Sequence, residues 1–359
     1  MSFRPDGLPE ADLEDIDARL APHRDHLRGR RLFLTGGTGF IGRWLVESFG
    51  LANSRHALGA DLTVLSRNPE RHLQRTGHSP LAAAASFVRG DVRTFELTPP
   101  PRLDFVIHAA ADASETLNRE EPLTMLDVIV HGTRRVLDFA VAAKARRVLF
   151  LSSGAVYGPQ PPDLARIPEE FSGGPDLRDP RSAYAEGKRL AEVLCAAYAR
   201  THGLEVVTAR GFAFVGPRLP LNRHFAAGNF VRDALDRNTI TVQGDGTPLR
   251  SYLYAADLAV WLWTMLLAAP PGRVYNVGSE REVSIADLAA EAARLSEPAL
   301  PVRIARQAAA GAPPQRYIPS TLRATRELGL TETIGLPEAL RKTFRWHRQQ
   351  VSDKTPVAR

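Results

Sequence analysis

Cysteine is nearly absent: Cys195 stands alone among 359 residues. A single thiol can form neither an internal disulfide nor a cysteine-based zinc site. No basic start leads into an apolar signal core at the N-terminus, so a reducing cytoplasm is the expected compartment. Long apolar runs are missing as well. The longest stretches, such as 255–271, carry Asp257 and fall short of the roughly 20 residues that a membrane helix needs, so no membrane partner is expected. Basic residues outnumber acidic ones, 46 to 40. They form no block and do not interleave with aromatics in a recognisable module, and nucleic acid is not an expected partner. Lysine occurs only at 144, 188, 342 and 354, so a lysine inside a motif carries more weight than an arginine. No helical histidine pair comes with a glutamate in metalloprotease spacing, and no metal site is expected.

What is present is globular material, 44% hydrophobic and 24% charged, enough for one large or two ordinary domains. Residues 1–29 read as a helical extension lying as a surface helix on the main domain, with Leu13, Ile16, Leu20 and Leu27 at near-helical spacing. From Arg30, short β-rich runs at 31–35, 61–65, 86–89, 104–108, 147–151 and 204–208 alternate with helical patterns. Such runs imply parallel strands covered on both faces, and hence an α/β Rossmann-type doubly wound sheet over 30–215. Residues 216–349 have shorter elements and more Pro-Gly punctuation. They read as a smaller α/β substrate-binding lobe, interwoven with the first domain because 273–277 can return to the main sheet. Residues 350–359 read as a frayed tail.

After the first strand comes Thr35-Gly-Gly-Thr-Gly-Phe-Ile-Gly42, leading into a helical pattern. Glycines at 36, 39 and 42 permit a tight turn and close approach of a pyrophosphate to the unpaired N–H groups of the helix start. The second strand ends in Ser66-Arg67. Serine cannot accept from both ribose hydroxyls as an acidic residue would, while arginine can pair with a 2′-phosphate, which favours NADP(H) over NAD. Asp91, after the third strand, either accepts from the adenine amino group or caps a turn.

Ser182-Ala-Tyr-Ala-Glu-Gly-Lys188 puts Tyr184 and Lys188 on one helical face. An ammonium there can lower the phenol's pKa towards that of a general acid/base. The fifth strand ends in Leu151-Ser-Ser-Gly-Ala-Val-Tyr-Gly158, and strand C-termini are where an open α/β sheet places its ligands.

Together with Asp91 and His108-Ala-Ala-Ala111, these motifs resemble those of the extended short-chain dehydrogenase/reductases. Gly244-Asp-Gly-Thr-Pro-Leu-Arg-Ser-Tyr-Leu-Tyr-Ala-Ala-Asp257 resembles their nucleotide-sugar epimerase/dehydratase branch. The resemblance spans about residues 30–300 and implies hydride transfer between a sugar carbon and a nicotinamide. It makes Ser153 the catalytic hydroxyl, Tyr184 the acid/base and Lys188 the residue that orients the nicotinamide ribose. It places the cofactor along Gly36, Thr38, Gly39, Phe40, Ile41 and Gly42, then Ser66 and Arg67, then Asp91 and Val92. Ala109, Ala110 and Ala111 follow, with Phe214 and Val215 beside the nicotinamide. Ser153, His224, Asn229 and Arg250 would meet the sugar nucleotide, Arg250 at its phosphates. The resemblance also implies a homodimer built on two long helices per subunit, here 124–144 and 182–202.

Two departures stand out. Ile129 replaces an asparagine usual three residues before Gly132. Gly154-Ala155 replaces the acidic residues that 4,6-dehydratases and UDP-glucuronate decarboxylases place after the catalytic serine or threonine. The expected reaction is therefore epimerisation or 4-keto reduction at carbon 4 of a nucleotide sugar. The alternatives are a 4,6-dehydratase drawing on residues such as Asp112 or Glu115, a reductase of a non-sugar carbonyl, and a catalytically silent dinucleotide sensor.

Overall fold

The computed structural model describes residues 7–76, 81, 84–98, 100–110, 115–223 and 225–352. Ala111, Asp112 and His224, singled out above, lie outside the described residues, as do 353–359.

The strands β1 (Arg31–Thr35), β2 (Asp61–Ser66), β3 (Ala85–Arg89), β4 (Phe105–His108), β5 (Arg147–Ser153) and β6 (Glu205–Gly211) fall on the six runs expected from the sequence. Behind them come β7 (Phe214–Val215), β8 (Ile240–Val242), β9 (Leu249–Arg250), β10 (Leu253–Tyr254), β11 (Val274–Val277), β12 (Val283–Ser284), β13 (Val302–Ile304) and β14 (Arg316–Tyr317). The main sheet has seven strands in the order β11-β6-β5-β4-β1-β2-β3, and every pairing in it is parallel. β11 joins as an edge strand beside β6, so residues 274–277 lie in the main sheet.

All seven residues of β5 are buried, as befits a central strand covered on both faces. One cover is the helix Ala255–Ala268, apolar nearly all round and buried along almost its whole length. Trp261 and Trp263 lie in this core. None of the described helices is long and apolar enough to cross a membrane.

The strand order reverses between β1 and β4, which opens a crevice above their C-terminal ends. The remaining strands form the smaller sheets β12-β9-β14, β10-β7 and β13-β8.

The N-terminal helix Glu10–Arg19 packs one face on the rest of the chain and leaves Glu10, Ala11, Glu14 and Ala18 exposed. In the helix Glu10–Arg19 not only Leu13 and Ile16 but also Asp12 and Asp17 are buried. Asp12 accepts from Lys342 Nζ at 2.5 Å and from the Tyr254 hydroxyl at 2.6 Å, and Arg19 pairs with the fully buried Asp257 at 2.7 Å. Buried carboxylates persist where they are paired in this way. The last helix runs to Ser352, past the point where fraying was expected.

Candidate active site

The glycine loop joins β1 to the helix Phe40–Arg55. Gly36 has a left-handed backbone (φ +77°), and a Cβ on it would sit 2.6 Å from the Ala109 carbonyl. A Cβ on Gly42 would come within 2.3 Å of the Gly36 carbonyl oxygen. Gly39, by contrast, is exposed, and its missing Cβ would meet only the Gly36 oxygen, at 3.4 Å. It caps the helix with no side chain of its own, so no capping side chain takes the first-turn N–H groups. The loop thus fits a dinucleotide pyrophosphate: closed on its inner side by glycines and open on its outer one. Thr38 is exposed at its tip, with Phe40 and Ile41 half-buried.

Beneath the loop, Thr35 Oγ1 accepts from the Ala110 N–H at 3.1 Å and bonds His108 Nδ1 at 2.7 Å. His108 Nε2 in turn reaches Thr133 Oγ1 at 3.1 Å. Burial lowers the His108 pKa to about 3, so the ring is a neutral strut that ties β1 and β4 to the helix Gly132–Ala142. Ile129 is buried one turn earlier, and a Cβ on Gly187 would lie 3.3 Å from its side chain. An apolar contact between helices therefore stands where the asparagine was expected.

At the ends of β2 and β3, Ser66 is buried and accepts from the Asn68 N–H at 3.3 Å, while Arg67 is exposed. Asp91 is held by Arg93 through a side-chain pair at 2.8 and 2.9 Å, and that arginine lowers its pKa. Val92 packs against Gly132.

Ser153, Tyr184 and Lys188 come together at the C-terminal end of β5. Ser153 closes the strand and caps the turn Gly154–Tyr157, its Oγ accepting from the Ala155 N–H at 3.2 Å. Tyr184 and Lys188 face it from the helix Ala183–His202. Asn118 steadies the start of that helix, accepting from the Tyr184 N–H at 2.9 Å and donating to the Arg181 carbonyl at 2.6 Å. Lys188 is buried, donates to the Leu151 carbonyl at 2.6 Å and lies over the Phe150 ring. Burial lowers its pKa to about 8.

The expected depression of the Tyr184 phenol is not seen. Burial pushes its pKa up, and the group that counters burial is Ser153, through a hydrogen bond, while the ammonium is turned to the strand backbone.

A match to the model of the NAD dependent epimerase/dehydratase family runs over residues 32–278. The chain belongs to this family. UDP-glucuronic acid decarboxylase 5 of Arabidopsis thaliana is 29% identical over 86% of this chain and 87% of its own length. Among solved structures, UDP-N-acetylglucosamine 4-epimerase from Methanobrevibacter ruminantium, in complex with UDP-N-acetylmuramic acid, shares the fold at 21% identity. Its TM-score is 0.77 over 90% of this chain and 99% of that one. MoeE5, in complex with UDP-glucose and NAD, is 25% identical with a TM-score of 0.73 over 89% and 99% of the two chains.

The other side of this candidate site comes from residues beyond β6. Phe214 is half-buried beside Gly211, while the Val215 side chain is wholly in the core, leaving only its backbone for a ligand. Arg250 is half-buried and donates to the Leu249 carbonyl at 2.9 Å. Asn229, on the helix Ala226–Leu235, accepts from Arg232 at 3.3 Å.

Two further residues complete the wall: Tyr317, which no sequence motif pointed to, and Phe212, from the same run as Phe214 and Val215. Tyr317 stands in register with Arg250, and Phe212 packs on its ring with centroids 4.6 Å apart. A third group supports the C-terminal end of β5: Ser152 donates to Glu192 at 2.5 Å, and Glu192 also holds Arg210, which donates to the Tyr157 hydroxyl at 2.8 Å. Tyr157 is thereby a structural phenol, and burial raises its pKa to about 12.

Proposed function

We infer that this protein oxidises or reduces carbon 4 of the sugar of a nucleotide sugar, as a 4-epimerase or a 4-keto reductase. The observation that carries the reading is the convergence of Ser153, Tyr184 and Lys188 at the strand ends beside an open glycine loop. A nicotinamide dinucleotide, when bound, supplies the acceptor and donor of hydride. The chain's own residues do the rest. The glycine loop holds the pyrophosphate, and Lys188 orients the ribose. Ser153 holds the sugar oxygen, and Tyr184 takes or returns the hydroxyl proton. Arg250, His224 and Asn229 are the side chains proposed to meet the nucleotide and sugar. Arg67, exposed at the end of β2, supports NADP(H) over NAD. The proposed assembly is a homodimer.

A second reading is decarboxylation of a nucleotide-linked uronic acid, favoured by the name of the Arabidopsis relative. Oxidation at carbon 4 makes a carboxylate on carbon 5 a β-keto acid, which loses carbon dioxide without an acid at carbon 6. Epimerisation or reduction stays first because Gly154 and Ala155 stand where the resemblance puts the acidic residues of UDP-glucuronate decarboxylases.

Incubation with UDP-, dTDP-, GDP- and CDP-sugars, UDP-glucuronic acid among them, with oxidised cofactor or with NADPH, separates these by mass. Epimerisation leaves the mass unchanged, ketone reduction adds two hydrogens and decarboxylation removes one carbon dioxide. Loss of one water from any substrate would overturn both readings.

A further inference from the structure

The helical face that carries Tyr184 and Lys188 continues into an acid. Glu192 follows Lys188 by four residues and Tyr184 by eight, so the three side chains leave the helix Ala183–His202 on one side. The carboxylate is held at three points: Ser152 Oγ donates to it at 2.5 Å, and Arg210 donates through Nη2 at 2.6 Å and Nε at 3.0 Å. Arg210 is fixed in turn, its Nη1 donating to the Tyr157 hydroxyl at 2.8 Å and to the Glu169 carbonyl at 3.1 Å. Lys188 donates to the carbonyl of Leu151, the residue just before Ser152. Ammonium and carboxylate are therefore anchored to consecutive residues of β5.

Burial disfavours the charged form of a lysine, so a buried ammonium depends on negative charge close by. The groups around Lys188 are mostly neutral. β5 presents the Leu151 carbonyl and the Phe150 ring, whose centroid lies 4.9 Å from Nζ. β4 presents His108, a neutral imidazole. Its own helix presents the Tyr184 phenol and the Cys195 thiol, both pushed up by burial and so protonated, and then Glu192. Arg210, from β6, is the other cation and is paired with Glu192. Burial brings the Lys188 pKa down to about 8, and Cys195 and Glu192 act against that fall. A protonated thiol holds no charge, which leaves the carboxylate.

We propose that Glu192 is a positioning residue: locked to Ser152 and Arg210, its carboxylate keeps the Lys188 ammonium charged and held at the C-terminal end of β5. The consequence for turnover rests on Lys188 orienting the cofactor ribose in the proposed reaction. Without the carboxylate, Lys188 and Arg210 would share this corner of the fold as two cations with no acid between them. Lysine, unlike arginine, then sheds its proton.

The test needs no substrate. Lysine occurs only at 144, 188, 342 and 354, so the full chain labelled at the lysine ε-carbons gives four NMR signals, and Lys188→Arg identifies the one to follow. In the wild type that signal should titrate near pH 8. Glu192→Gln keeps the size of the side chain and removes its charge, and should lower the midpoint by about one pH unit, the scale of one opposite charge close by. Glu192→Asp keeps the charge and should recover most of that shift. An unmoved midpoint in Glu192→Gln overturns the proposal, because a residue that only braces the fold would change the melting temperature and not the titration. An equal fall in Glu192→Asp overturns it too, since packing alone would then explain the shift. If Glu192→Gln does not fold, Arg210→Gln decides in the opposite direction: with the guanidinium gone the carboxylate acts on Lys188 alone, the midpoint should rise, and a fall or no change overturns the link. Because the readout is a titration, absence of turnover on the substrate panel would sink the proposed reaction without touching this result.

Discussion

Tyr184 and Lys188 sit one helical turn apart, yet in the protein alone the ammonium serves the backbone of β5 and the phenol answers to Ser153. If Tyr184 moves the substrate proton, Tyr184→Phe should cut turnover by roughly 10²-fold while leaving cofactor affinity nearly intact, since the ring is kept. Steady-state kinetics beside a fluorescence titration of the cofactor would check both halves, and substantial activity in the variant would remove the assigned role. Arg67 offers a second test at this scale. Arg67→Ala should weaken NADPH binding and spare NADH, because only the former has a 2′-phosphate to lose an ion pair; equal effects would make Arg67 an ordinary surface arginine. Residues whose job is local were legible in the sequence: the glycines, the serine at a strand end, and the tyrosine and lysine on one helix. Their mutual electrostatics were not, because the direction of the Lys188 ammonium depends on the Leu151 carbonyl, which only the packed strand presents.

At the scale of elements, the long and the repetitive were readable and the short were not. The six strand runs and both long helices announce themselves by period and length. β9 and β14 have two residues each and no period to read, yet they bring Arg250 and Tyr317 to the site. Gly154 shows the consequence. From sequence it is a missing acid; in the fold it is the space into which Tyr317 and Phe212 project, each within 2.8 Å of where a Cβ would stand. Gly154→Ala should therefore act as overpacking, with a stability loss of about 1–3 kcal/mol, measurable as a lower denaturant midpoint at unchanged slope. A variant as stable as the wild type would mean that the wall from β14 is free to withdraw. The same reasoning explains Ile129: an apolar side chain fills the gap against Gly187 that a polar residue would have left half-satisfied.

Across the whole molecule, chain ends and chain middle are stitched together. The N-terminal helix is bound to Lys342 through Asp12 and to the core helix Ala255–Ala268 through Arg19, and Gly7 accepts from the Trp346 indole at 2.9 Å. The sequence showed an amphipathic stretch there but not its partners, which range from Arg55 and His56 to residues more than two hundred positions away. What remains on the surface is informative in a different way. On the helix Ala183–His202, Leu190 is 47% and Val193 62% exposed, and Leu123, on the neighbouring helix Pro122–Leu126, is 76% exposed. Apolar side chains clustered on adjoining helices cost solvation unless another surface covers them. Leu190 and Val193 lie in, and Leu123 just before, the segments 182–202 and 124–144 proposed to pair two subunits through a four-helix interface. The wild type should accordingly run as a dimer in light scattering at micromolar concentration. Leu190→Glu combined with Val193→Glu should give a folded monomer, because two charges would be buried unpaired in each half of the interface. A monomeric wild type would refute the dimer outright, and a dimeric double variant would place the contact on another face.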